Sequence, residues 1–401
     1  MNKYDIEWFV NDDGAQVRRV ILHMPVAVEM ADVKPEKFSV YVERTDDKGE
    51  VFTVPESWFS RKMVQTKGYR SILSAYSSDA EGNPVLKGDY VTLELDMADA
   101  QSRALVGSLH GSEFVNCNYR ITQTAPIGTC VGQVFDQQNE IYCPQANGWS
   151  HDVSHYEELP LQYAYFNPEK GVNRPVIIWL HGAGEGGQDP RVAYMGNNVV
   201  SLSSDKIQAY FDSAWVLVPQ SPTMWMDDGS HEYGRTGRSM YVKALKALID
   251  EFVAIHPVDK NRIYIGGCSN GGFMTLRMMI DYPDFFAAGY PMCEALYDET
   301  ISDEDITNIK DLPIWFLHAM TDAVVSPKET SVPTYERLMA AGATNVHFTY
   351  INDMPPFEMI NHGVWVPGLK DEFNEDFDGR PVMVDGKPVT RFQWLAAQKR
   401  G

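Results

Sequence analysis

Apolar and polar positions follow two different rhythms along this chain, and the change falls near residue 160. Before it, short β-prone runs recur: Val17 to Leu22, Phe38 to Val42, Ser71 to Tyr76 and Tyr90 to Leu95. Turn-forming clusters separate them, among them Asn11-Asp12-Asp13-Gly14, Asp46-Asp47-Lys48-Gly49 and Ala80-Glu81-Gly82-Asn83-Pro84. The pattern predicts an all-β sandwich of immunoglobulin-like kind over residues 1–125. Residues 126–155, rich in Gly, Pro, Asn and Gln, predict a connector wrapped on the domain that follows.

From Leu161 strand patterns alternate with helical ones, which predicts an α/β domain at 156–401 with a mostly parallel sheet flanked by helices. Leu161 to Phe166 reads as a first edge strand. Pro175 to Leu180 is an unbroken apolar run, as a central strand covered on both faces requires. Further strands are expected at Ala214 to Val218, Arg262 to Ile265, Phe285 to Tyr290, Pro313 to His318 and Val346 to Tyr350. Helical spacing marks Tyr241 to Ala254, Phe273 to Ile280, Tyr335 to Ala341 and a last helix near Phe392. Asp371 to Val389 reads as an acidic hairpin insertion, and residues 188–205, with Asn197-Asn198, as a candidate lid.

Composition narrows the function. The chain has 401 residues and a formal net charge of −21, from 34 basic and 55 acidic side chains. Such a surface repels phosphate backbones and anionic lipid, so no nucleic-acid and no membrane partner is expected. Cys117, Cys130, Cys143, Cys268 and Cys293 are odd in number, widely spaced and lack a C-x-x-C pair, which argues against a metal centre or a disulfide framework. One bridge among the first three stays open. Charges at Lys3, Asp5 and Glu7, with no 18-residue apolar run, predict a cytoplasmic protein, or a secreted one if a leader has been removed.

The chemistry centres on Gly267-Cys268-Ser269-Asn270-Gly271, a G-x-S-x-G sequence between a strand pattern and a helix pattern. A turn this sharp lifts the Ser269 hydroxyl off the sheet and leaves room only for glycine two residues to either side. After the central strand comes His181-Gly182-Ala183-Gly184-Glu185-Gly186-Gly187. A backbone N–H from Ala183 or Gly184, together with that of Asn270, would form an oxyanion hole. A nucleotide phosphate loop is excluded, because neither G-K-[ST] nor a suitable G-x-G-x-x-G is present. In this fold acid and then histidine follow the nucleophile. Asp322, just beyond a strand end, is the candidate acid, and His362, on a loop after the last strand, the candidate base. Asp303, Glu304 and Asp305 read as a solvated charge run. His181 and His318 end strands and read as structural, His347 alternates within a strand, and His256 follows a helix.

Together these motifs, with Val218-Pro219-Gln220-Ser221-Pro222, Trp225, His318-Ala-Met-Thr-Asp322, His362-Gly-Val-Trp365 and the segment Trp394 to Arg400, resemble α/β-hydrolase esterases with an N-terminal immunoglobulin-like domain. Those esterases are relatives of polyhydroxybutyrate depolymerases, feruloyl esterases and prolyl oligopeptidases. The resemblance implies hydrolysis of a small-molecule carboxylic ester by Ser269, His362 and Asp322, with no cofactor and no metal. It also places Trp225, beside Met224 and Met226, on the substrate pocket wall. Cys293-Glu294 departs from the glycines common in relatives. Glu294 then either faces the cleft and disfavours anionic acyl groups, or is a buried hydrogen-bonding group. Two other functions stay open: a serine peptidase of prolyl-oligopeptidase type, although propeller repeats are absent, and a non-catalytic binding protein. The β-domain serves either polymer binding or packing, and a homo-oligomer is open.

Overall fold

The computed structural model describes residues 2–55, 62–108, 111–168, 171–230, 233–352 and 361–401. Two units divide the chain: Met1–Ser108 with Glu113–Asn147, and Leu109–Ser112 with Gly148–Gly401.

In the first unit eight strands form one ladder. They are β1 (Asn2–Asn11), β2 (Gly14–Glu29), β3 (Phe38–Thr45), β4 (Lys67–Arg70), β5 (Ile72–Ser78), β6 (Lys87–Leu95), β7 (Asn116–Gln123) and β8 (Val134–Tyr142). Their order is β4-β3-β7-β8-β1-β2-β6-β5. Only the β1–β8 pair is parallel among these. Because β4 and β5 stand at opposite ends yet only Ser71 lies between them, the ladder has to fold back on itself into two layers. The interior is filled by every second residue: Val20 and Leu22, Val40 and Val42, Val91 and Leu93, Tyr119 and Ile121. Arg70 fastens the fold-back. Its buried guanidinium donates to Tyr119 Oη at 2.6 Å, to the carbonyls of Val17 at 3.2 Å and Asp96 at 2.8 Å, and to Asp99 at 3.2 Å.

The second unit carries an eight-stranded sheet. Its strands are β9 (Trp149–Val153), β10 (Gln162–Phe166), β11 (Arg174–Leu180), β12 (Trp215–Gln220), β13 (Val258–Cys268), β14 (Ala288–Met292), β15 (Ile314–Ala319) and β16 (Val346–Ile351). Spatial order is β9-β10-β12-β11-β13-β14-β15-β16. The first three are antiparallel neighbours and the rest run parallel. The helices are α1 (Pro190–Met195), α2 (Asp205–Phe211), α3 (Val242–Ile255), α4 (Asn270–Asp281), α5 (Asp303–Ile309), α6 (Ser331–Ala340), α7 (Trp365–Leu369) and α8 (Arg391–Ala397). In α3 the buried set Ala244, Leu245, Leu248, Ile249, Phe252 and Val253 has the spacing of a single helical face. By contrast α4 is buried nearly all round, as its position beside the sheet centre demands.

Three expectations need correcting. Residues 126–155 are not a connector: they hold β8 and β9. Leu161 to Phe166 is not the edge strand, because β9 covers it; β9 is exposed along most of its length and carries no apolar alternation to read. Phe285 and Phe286 precede β14 in a turn closed by Phe285 N–H to the Tyr282 carbonyl, and their rings meet edge to face. All five cysteines are free thiols.

Replacing Arg70 by Leu takes a donor from four acceptors, two of them buried, and should destabilise the first unit by about 3 kcal/mol. Chemical denaturation of the variant, followed by tryptophan fluorescence, measures it; an unchanged midpoint contradicts the clamp.

Candidate active site

Register places the chemistry. Leu180 of β11 pairs with Gly267 of β13, Cys268 with Met292 of β14, and Met292 with Leu317 of β15. The residues just beyond these pairs, His181-Gly182, Ser269, Cys293-Glu294 and His318, therefore lie in a row at the carboxyl ends of adjacent parallel strands. That rim is where open α/β sheets bind ligands.

Ser269 occupies the turn between β13 and α4, at φ 54° and ψ −115°. Such a backbone is strained for a residue with a side chain. It is held by Ser269 N–H to the Met292 carbonyl and Phe273 N–H to the Ser269 carbonyl, both 2.9 Å. The flanking glycines are required sterically. A Cβ on Gly267 would stand 2.3 Å from the Leu180 carbonyl oxygen, and one on Gly271 1.9 Å from it. Since α4 starts at Asn270, that residue's backbone N–H has no carbonyl one turn back to bond. Ala183 and Gly184 open a single helical turn after β11, Ala183 exposed and Gly184 half-buried.

His362 and Asp322 are brought together. His362 Nδ1 lies 2.7 Å from Asp322 Oδ2, with both residues buried. The other carboxylate oxygen accepts Val324 N–H at 2.8 Å and Val325 N–H at 2.9 Å. Burial by itself would raise the Asp322 pKa. Hydrogen bonds from His318, His362 and the loop outweigh it and hold the group well below the usual carboxylate range.

Other expected residues sit differently. Trp225 is fully buried, its ring 5.3 Å from His181 and 5.9 Å from Tyr241, so it backs the loop after β11 and presents no surface to a ligand. Glu294 is 1 % exposed and turned inward: one oxygen accepts Leu296 N–H at 2.7 Å, the other meets Ser331 Oγ at 3.0 Å. Of its two readings, the structure takes the buried hydrogen-bonding group and not the substrate contact. Asn270 adds a side-chain role, its Oδ1 accepting Met226 N–H at 2.9 Å. His181 is neutral, pushed down to about 4 by burial. Its Nε2 accepts Ser221 N–H at 3.0 Å and ties the ends of β11 and β12 together.

Two residues whose roles the sequence did not reveal tie the loop after β11 to the histidine loop. Buried Glu185 accepts Gly182 N–H at 2.9 Å and Asn197 Nδ2 at 2.7 Å. Asn197 Oδ1 in turn accepts Trp365 Nε1 at 3.0 Å, and the Trp365 ring stands edge-on to His362 at 5.3 Å. An acid set among glycines right after a buried strand was the available signal.

Among the described residues, the ligand atoms of Cys293, Asp322 and His362 form the one group close enough for a metal, within 4.8 Å of each other. The carboxylate and imidazole already share a short hydrogen bond, and burial keeps the thiol protonated. These groups fit acid–base use better than ligation.

The sheet order, the serine turn at the end of β13 and the acid–histidine pair at the same rim define an α/β-hydrolase. Residues 162–359 match the family described as Phospholipase/Carboxylesterase, and residues 8–136 that described as Esterase Ig-like N-terminal domain. The chain thus carries an N-terminal region matching the esterase Ig-like family, followed by an α/β-hydrolase region matching the carboxylesterase family. A solved structure titled as that of a thermostable esterase is 24% identical, covers 99% of each chain and has a TM-score of 0.78. Poly(3-hydroxyalkanoate) depolymerase C of Paucimonas lemoignei is 27% identical over 133 residues, 31% of this chain and 29% of that protein. Feruloyl esterase B of Neurospora crassa is 30% identical over 135 residues, 32% of this chain and 41% of that protein. The match thus spans less than half of either curated relative.

Asn197→Leu removes the link between the two loops, and kcat on an ester should fall about 10- to 100-fold with folding retained. Steady-state kinetics beside a thermal melt test it. A second prediction concerns pH. Burial pushes both Glu185 and Glu294 up to about 8 from an ordinary 4.5. Between those values the folded chain holds protons that the unfolded chain has released. The contribution of both groups to stability is therefore full below about pH 4.5 and is lost as pH rises toward 8. In Glu185→Gln the melting temperature should fall less than in the wild type between about pH 5 and 8; equal slopes contradict it.

Proposed function

We propose that this protein hydrolyses small or medium carboxylic esters through an acyl-enzyme on Ser269. The observation that carries the reading is the 2.7 Å contact of His362 Nδ1 with Asp322 Oδ2 at the rim where the strained turn presents Ser269. With its Nδ1–H donated to the carboxylate, His362 keeps Nε2 as the free basic nitrogen. Ser269 Oγ attacks the ester carbonyl carbon while its proton passes to Nε2. The carbonyl oxygen becomes an oxyanion held by the N–H groups of Asn270 and of Ala183 or Gly184. Collapse of the intermediate breaks the ester C–O bond, and the imidazolium gives its proton to the departing alcohol oxygen. Water, deprotonated by the same nitrogen, then attacks the acyl carbon and releases the acid and Ser269. Asp322 stays ionised and stabilises the imidazolium at each stage.

The relatives' names support ester chemistry, since one is a polyhydroxyalkanoate depolymerase and the other a feruloyl esterase. Five free thiols support a reducing compartment, in keeping with the cytoplasm expected from sequence. No helix of the described residues is long and apolar enough to cross a membrane.

The wild type should turn over p-nitrophenyl acyl esters and leave chromogenic peptides intact. Ser269→Ala should lose about 10⁶-fold in kcat, together with labelling by a fluorophosphonate. Asp322→Asn should lose about 10⁴-fold. Turnover of peptides alone would replace the esterase reading with a peptidase, and full activity in Ser269→Ala would refute the nucleophile.

A further inference from the structure

His318, next to last in β15, has its imidazole fully buried. Its Nε2 faces two acceptors, Asp322 Oδ2 at 3.1 Å and the Val325 carbonyl at 3.2 Å. Its Nδ1 lies 2.7 Å from Ser331 Oγ, at the start of α6. Ser331 Oγ lies 3.0 Å from Glu294 Oε1, and Glu294 Oε2 accepts Leu296 N–H. Glu294, Ser331, His318 and Asp322 thus make an unbroken hydrogen-bonded row from the ends of two adjacent strands, β14 and β15, and a helix start, entirely inside the protein. It ends on the carboxylate oxygen, Oδ2, that His362 also meets.

We propose that Glu294, Ser331 and His318 are positioning residues for Asp322, acting as a one-way chain of donors that fixes the carboxylate against His362. The proposal rests on the catalytic reading above.

The donor sense follows from the geometry. A nitrogen between two acceptors has to carry the proton, so His318 Nε2–H donates to Asp322 and Val325. Burial disfavours the imidazolium. Nδ1 is then a lone pair and accepts the Ser331 hydroxyl proton. That leaves Ser331 Oγ only its lone pairs for Glu294, so their contact is a hydrogen bond when Glu294 Oε1 carries a proton. Burial that raises Glu294 to about 8 supports the neutral acid. Each donor commits the next, and reversing one link reverses them all. Other ionisable groups around the row are His362 and Cys293, both beside Asp322, and Asp298 on the side of Glu294.

The tests use the whole chain. By ¹⁵N NMR of labelled histidine near neutral pH, His318 should be the neutral Nε2–H tautomer, and Ser331→Ala should lose that single state. An Nδ1–H tautomer or an imidazolium in the wild type overturns the proposal whether or not esters are hydrolysed. With a p-nitrophenyl ester, and active sites titrated by a fluorophosphonate, Ser331→Ala should lower kcat about 10- to 100-fold at nearly unchanged KM. The acid limb of kcat/KM should move to higher pH, because a carboxylate short of one donor attracts the imidazolium proton more strongly. Ser331→Thr should restore both. Glu294→Gln should keep kcat within about threefold, since its amide N–H replaces the acid O–H while its oxygen still accepts Leu296 N–H; Glu294→Leu should behave like Ser331→Ala. Wild-type kcat and acid limb per titrated site in Ser331→Ala would reduce the row to ordinary packing. A wild type that neither hydrolyses esters nor takes the probe refutes the catalytic reading instead, and the tautomer then decides the row alone.

Discussion

Gly267 and Gly271 lie so close to the carbonyl of Leu180 that no larger side chain fits at either position. That contact is the constraint from which the site unfolds. It clamps β13 and the first turn of α4 onto β11, and so fixes the register in which Leu180 stands beside Gly267. Given this register, the loop after β11 and the serine after β13 emerge side by side. The next two pairings add Cys293 and His318 to the row. Backbone packing, with almost no freedom to adjust, thus sets the spacing among groups that the proposed mechanism requires to meet a reacting carbonyl within fractions of an ångström.

Three buried carboxyl groups surround that row, and their ionisation differs for countable reasons. Asp322 receives two imidazole nitrogens and two loop amides, which is enough to keep the charge against the cost of burial. Glu185 receives one amide N–H and one side-chain amide, and Glu294 one amide N–H and a hydroxyl contact. With so few donors, desolvation wins and the proton stays on longer. The acid that the proposed mechanism keeps charged is the one supplied with donors. The two that brace loops are closer to neutral hydrogen-bonding groups, a safer form for a structural role in a low-dielectric interior.

The central sheet and the elbow were legible because their signals are local. Unbroken apolar runs mark doubly covered strands, and G-x-S-x-G marks a turn with no space for side chains. The strands β1, β4, β8 and β9 were not legible; β7 was, since Cys117, Tyr119 and Ile121 alternate with polar residues, yet it was not among the expected strands. β8 and β9 are largely exposed on their flanks, so period-two alternation is lost, and β1 is recognisable only through its partners. Trp225 was misplaced because a tryptophan beside two methionines reads the same whether it walls a pocket or fills a core. Glu294 was ambiguous for a related reason: whether a carboxylate after a strand faces solvent or the interior depends on what lies across from it. Here that is Ser331, 37 positions away. Asn197 was noted only as part of a candidate lid, whereas the role it takes depends on Trp365, 168 positions on. What failed to show in the chain was pairing at long range, and pairing is what turns a residue type into a role.

His362 itself lies on irregular backbone between β16 and α7, the kind of segment least able to hold a side chain in one orientation. Asn361 before it adopts φ 60°, and its side chain donates to Thr321 Oγ1 at 2.6 Å, one residue from the acid. The loop is then braced twice. From one side Glu185 and Asn197 hold Trp365 against the imidazole. From the other, Asp322 takes Nδ1 and is itself fixed by His318 and the Val324 and Val325 amides. Each brace begins beyond a strand end of the sheet, after β11 and after β15. A loop supported this way borrows the rigidity of the sheet without being part of it. The same sheet that places the serine through its backbone therefore places the histidine through side chains, and both halves of the site answer to one register.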